Sequence, residues 1–128
     1  MNPDKFSIKS RAASFRFAFR GIAELFRNEP NAIIHLAASV IVIFAGIILR
    51  INRFEWCLIA IVAGVVFIAE IFNTSIENLG DAIDPKWNKN IKKAKDLAAA
   101  GVLVAALISV ITGLMIFIPR ILSIFQGN

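Results

Sequence analysis

Three apolar blocks divide the chain, from about Ala32 to Leu49, from about Phe54 to Phe72 and from about Leu97 to Ile118. Each is long enough, at about 1.5 Å per residue, to cross a hydrocarbon core about 30 Å thick, so the pattern predicts three transmembrane helices. Ahead of them, from Ile8 to Arg27, Arg16, Arg20 and Arg27 recur at near-helical spacing among Phe15, Phe19, Ile22, Ala23 and Phe26. That period predicts an amphipathic helix at the membrane surface, its guanidinium groups toward lipid phosphates. It does not read as a signal peptide, because the long apolar run starts only about thirty residues in and no small-residue cleavage site follows. The expected fold class is an all-α membrane protein, an N-terminal surface helix plus three spans forming one membrane-embedded domain over residues 1–128.

Composition excludes the soluble alternative. With 58% hydrophobic residues and a mean hydropathy of +0.73 in 128 residues, too little polar chain remains to cover three such blocks in water. Charge then orients the spans. Lys5, Lys9, Arg11, Arg16, Arg20 and Arg27 precede the first, Lys86, Lys89, Lys92, Lys93 and Lys95 lie between the second and third, and only Arg50 and Arg53 separate the first two. By the positive-inside rule the N-terminus and the Asp81–Lys95 loop face the cytoplasm, and the Arg50–Phe54 turn and the chain beyond Pro119 face outward. The net charge of +5 gathers where anionic headgroups would be, which suits a lipid surface better than a nucleic acid.

Into this frame falls one polar stripe. Glu70, Asn73, Glu77 and Asp81 stand at i, i+3, i+7 and i+11 and occupy roughly an 80° arc of one helix face. A carboxylate at bilayer depth costs about 2.5–3.5 kcal/mol by insertion scales and is usually retained for work on ions, protons or polar substrates. Glu70 and Glu77 lie about 10.5 Å apart along the axis, too far to share one ion, so different roles are expected. Glu70, deeper and among Ile68, Ala69, Ile71 and Phe72, is placed for a general base. Glu77, nearer the headgroups, is placed for a divalent cation, and Glu29, before the first span at similar depth, would complete that site. The Asn73 amide can orient a substrate or a water.

Other residues add less. Cys57 is the single cysteine and can form neither an intramolecular disulfide nor a metal site. His35, the single histidine, is a candidate proton relay, substrate contact or interhelical hydrogen-bond partner. The run Lys93-Ala94-Lys95-Asp96 is expected at the start of the third helix, where free N–H groups and lysines could cradle a phosphate.

Taken together, Glu70-Ile-Phe-Asn73-Thr-Ser-Ile-Glu77, then Asp81, then Ala94-Lys95-Asp96, with Gly21 and Asn28-Glu29 upstream, resembles the signature of the small bacterial integral-membrane diacylglycerol kinase and undecaprenol kinase family over nearly the whole chain. The resemblance implies ATP- and Mg²⁺-dependent phosphorylation of a lipid hydroxyl at the cytoplasmic face of the bacterial inner membrane, by a homotrimer with shared active sites. It implies Glu70 as the base, Glu29 and Glu77 on the metal, Asn73 holding the reacting groups and Lys95 on phosphate. Asp81 and Asp96 would support the nucleotide, and Phe17 stands where the diacylglycerol branch has a nucleotide-side tyrosine. The segment Glu29-Pro30-Asn31-Ala-Ile-Ile-His35 is more similar to the undecaprenol branch, with His35 on the substrate side, so a polyprenol is expected and diacylglycerol comes next. The competing classes are a small transporter, disfavoured because no acidic residue continues a path through the first or third block, and a structural subunit, which would not need the basic segment.

Overall fold

The computed structural model describes residues 7–127; Lys5 lies outside them, as does the side chain of Lys9. Four helices follow one another, α1 (Ile8–Asn28), α2 (Pro30–Ile48), α3 (Arg53–Ile83) and α4 (Lys89–Phe125). Three of them, α2, α3 and α4, are long and apolar enough to cross a membrane. Among the described residues there is no strand.

The helix ends explain where the sequence expectations fall short. Hydropathy marks the membrane, whereas capping groups mark the helix, and here the two differ. The second span was expected to end near Phe72, yet α3 continues to Ile83 with Asp84 as its C-cap, because nothing between residues 73 and 83 breaks a helix. The third span was expected from Leu97, yet α4 starts at Lys89 behind Asn88, whose side chain accepts from the N–H groups of Asn90 and Ile91. The Asp81–Lys95 loop therefore shrinks to residues 84–88, and Lys93 to Asp96 sit inside α4. The phosphate cradle expected from free N–H groups at Lys93–Asp96 is thus not there. At the other end α4 runs through Pro119 to Phe125.

Between α1 and α2 the chain turns on Glu29 alone, which occupies the N-cap with Pro30 behind it at the first helical position. The Glu29 side chain makes no capping hydrogen bond, so its carboxylate stays available. Contact of α1 with α3 centres on Phe26 and Phe67, edge to face with centroids 5.8 Å apart.

The outward end of the bundle is tied across three helices. Asn52 and Glu55 form a capping box at the start of α3, and Glu55 also accepts from Arg120 Nη2 of α4. Arg120 Nη1 donates to the carbonyls of Leu49 and Arg50, 3.4 and 3.3 Å away. Those carbonyls flank the turn in which Arg50 takes a positive φ of 51°. Beneath this clamp Ile51, Ile59 and Ile116 are buried together. At the inward end the close approach is at Gly80, where a Cβ would stand 2.8 Å from Ile91 Cγ2 and 3.4 Å from Lys95 Cε. That glycine lets α3 and α4 meet where Asp81 and Lys95 project.

Candidate functional site

The inward half of α3 carries the site. Glu70 is 1% exposed and Asn73 8%, the two buried polar residues of a chain whose buried set is otherwise apolar. His35 Nε2 of α2 lies 3.1 Å from Glu70 Oε1, near enough for an ion pair with a protonated ring but without hydrogen-bond alignment, and that oxygen has no hydrogen-bond partner. One turn on, Asn73 Nδ2 donates to Glu77 Oε1 at 2.9 Å, which leaves Asn73 Oδ1 buried and unpaired. Unpaired buried acceptors are costly, about 1–3 kcal/mol each, and mark places where a ligand can supply the donor.

Glu29 completes the cluster from the α1–α2 corner. Its carboxyl is held above the ordinary glutamate range, first by partial burial and then by the negative charges of Glu77 and Glu70. Three carboxylates within electrostatic reach of one another call for a cation. Among the described residues, no group of three or more His, Cys, Asp or Glu is arranged to hold a metal unaided. A pair such as Glu29 and Glu77 nonetheless fits a hard divalent ion that keeps waters and takes the rest of its shell from phosphates, as Mg²⁺ does.

Toward the cytoplasm of the expected topology, Lys95 Nζ donates to Asp81 Oδ1 at 2.5 Å. This joins α3 to α4 one step beyond Glu77 on the stripe. The remaining two predicted residues stand apart from the cluster within one chain. Asp96 is exposed and paired with Lys92 at 2.7 Å, and Phe17 is exposed on α1, its ring 5.7 Å from the Arg16 guanidinium. Sequence reading missed Thr74, whose Oγ1 is buried without a partner. Its position beside Asn73 in a membrane helix was the available signal.

Fold and site define a class, an all-helical membrane protein with a carboxylate site at one end of its spans. Comparison with known proteins makes that specific. The sequence pattern of prokaryotic diacylglycerol kinase matches residues 16–117, and the chain belongs to this family of lipid kinases. It is 42% identical over 108 residues to an undecaprenol kinase of Bacillus subtilis (strain 168), covering 84% of this chain and 88% of that protein. It is 34% identical over 112 residues to a diacylglycerol kinase of Synechocystis sp. (strain ATCC 27184 / PCC 6803 / Kazusa), covering 87% of this chain but 64% of that longer protein. No solved structure matches.

Proposed function

We propose that the protein transfers the γ-phosphoryl group of ATP to the hydroxyl of a membrane polyprenol, undecaprenol ahead of diacylglycerol. The higher identity to the undecaprenol kinase, 42% against 34%, supports that order. The observation that carries the chemistry is the buried Glu70 with an oxygen that lacks a hydrogen-bond partner. A lipid hydroxyl placed there donates to Glu70, its oxygen attacks the γ-phosphorus, the proton passes to the carboxylate, and ADP leaves as the bond to the β-phosphate oxygen breaks. Asn73 keeps a free carbonyl oxygen for the reacting groups while its amide steadies Glu77. Glu29 and Glu77 would hold Mg²⁺, which when bound neutralises phosphate charge. Lys95 would meet phosphate after exchanging Asp81, and His35 would fix the rotamer of Glu70 from the lipid side.

In the same reading α1 lies on the membrane surface. Its exposed Phe15, Phe19 and Ile22 sit between arginines, which supports an interfacial position. The lysine-rich inward end supports an N-terminus in the cytoplasm of a bacterial inner membrane. A homotrimer accounts for Phe17 and Asp96, which could reach the cluster from a neighbouring subunit, so that one membrane-embedded unit supplies parts of two sites. The test is Glu70→Gln in mixed micelles with undecaprenol and MgATP. Phosphoryl transfer should be abolished with the folded oligomer retained, and turnover comparable to the parent would refute Glu70 as the base.

A further inference from the structure

An apolar cavity of about 280 Å³ runs between α2, α3 and α4, with His35 and Val66 at its inner mouth, Ser39, Ala63 and Gly113 along its walls, and Trp56 at its outer end. Glu70 follows Val66 by four residues, about 6 Å along α3, whereas Trp56 is fourteen residues away, about 21 Å. The walls ask for no polar partner, since the Ser39 hydroxyl already donates to the His35 carbonyl at 2.8 Å. The outer end is closed by packing. A Cβ on Gly46 would stand 2.8 Å from Trp56 Cη2 and 3.0 Å from Ile51 Cδ1, so the indole is backed directly by the α2 backbone.

We propose that this cavity is the slot for the hydrocarbon chain of the lipid alcohol, with Trp56 as its floor and therefore a chain-discriminating residue. The proposal rests on the lipid-kinase reading. A helix from a second copy would satisfy its own backbone and bring only side chains, leaving the unpaired Glu70 oxygen without a donor unless one of them happened to reach it. A lipid alcohol brings one hydroxyl donor joined to an apolar tail, which fits both the unpaired carboxylate oxygen at the mouth and the apolar walls below. The volume falls just under the usual range of ligand pockets, about 300–1,000 Å³, and suits one chain better than two. A single isoprenoid tail would enter whole to the depth of Trp56, while a two-chain lipid would leave one tail outside.

The test uses the full chain in mixed micelles with MgATP and prenols of short, intermediate and long chain, comparing the parent with Trp56→Ala and Ala63→Phe. Parent kcat/KM should rise with chain length until the tail reaches Trp56 and then level off. Trp56→Ala should carry the rise on to longer prenols. Ala63→Phe, which fills the slot midway, should lower kcat/KM for the longer prenols by about tenfold or more, with the short prenol and the KM for ATP little changed. If the parent phosphorylates no prenol of any length, the polyprenol reading itself fails. If prenols are turned over but the three proteins share one chain-length profile, the slot fails and the kinase reading stands. A prenol with a photoreactive tail should label the stretch 56–63 in the parent, a readout independent of the variants' folding. Labelling only elsewhere, together with loss of the oligomer in Ala63→Phe, would make the cavity a helix seat and overturn the proposal.

Discussion

Consider replacing Asp81 by asparagine beside a parallel Lys95→Ala. The Lys95–Asp81 pair is short at 2.5 Å, but the side chains are 31% and 64% exposed, and an ion pair in that setting stabilises by about 0–1 kcal/mol. A charge-assisted hydrogen bond from the same ammonium to a nucleotide phosphate contributes about 1.5–3 kcal/mol. Nucleotide binding gains the second and gives up the first. Lys95→Ala should therefore weaken ATP binding by about 1–2 kcal/mol, roughly 5- to 30-fold. Asp81→Asn should act in the opposite direction, releasing at most about 1 kcal/mol and tightening binding up to about fivefold, since the amide can still accept from Lys95 without competing as an anion. Isothermal titration with a non-hydrolysable ATP analogue and Mg²⁺, alongside the KM for ATP at saturating lipid, measures both. Lys89→Ala, at the exposed first position of α4, is the near-neutral comparison. Weakening by Asp81→Asn as large as that by Lys95→Ala would refute the competition argument and make Asp81 an indispensable support of the lysine.

Glu29→Gln should raise the Mg²⁺ concentration needed for turnover, read from a Mg²⁺ titration, while leaving the lipid requirement nearly unchanged. Because the Glu29 carboxyl is raised by burial and by Glu77 and Glu70, its contribution to stability is full below the ordinary glutamate pKa and is lost as pH rises through the raised value. The Gln variant should therefore unfold at a higher temperature than the parent at neutral pH without divalent cation, and match it in acid; thermal scans at the two pH values check this. Arg120→Met should lower the unfolding temperature more than it lowers kcat, since it strips the outward clamp and leaves Glu55 with only its capping bond, and Arg120→Lys should recover part of the loss. Gly80→Ala sets a gain of about 1 kcal/mol in helix propensity against about 1–3 kcal/mol of overpacking on Ile91; a small net destabilisation with a raised KM for ATP is expected, and unchanged kinetics would show that Ile91 yields without moving Lys95.

What the sequence made legible follows from which signals are local. The stripe Glu70, Asn73, Glu77 needs only helical phase, and the structure accordingly places Glu70 and Asn73 in the interior and bonds Asn73 to Glu77. Three apolar blocks foretold three long helices for the same reason. Ends were misjudged because the polar extensions of α3 and α4 are invisible to hydropathy, although Asn88 before Lys89 was a readable cap. Pairings across the bundle were out of reach altogether. Arg120 and Glu55 are sixty-five positions apart, and no local pattern records that they touch, even though Asn52-x-x-Glu55 announced a capping box.

The extension of α3 beyond the membrane has a kinetic consequence. Glu77, Asp81 and Lys95 stand on continuous helices, and the connection between these helices is only five residues, 84–88, so no long loop among the described residues can fold over the nucleotide as soluble kinases use their lids. Dryness at the γ-phosphate must then come from the lipid itself. A polyprenol that fills the approach to Glu70 supplies both the attacking oxygen and the plug against water. In its absence, a water at the same oxygen-facing position is the next nucleophile. Slow ATP hydrolysis should thus appear in lipid-poor micelles and fall as polyprenol is added, so that the acceptor works as the inhibitor of its own side reaction.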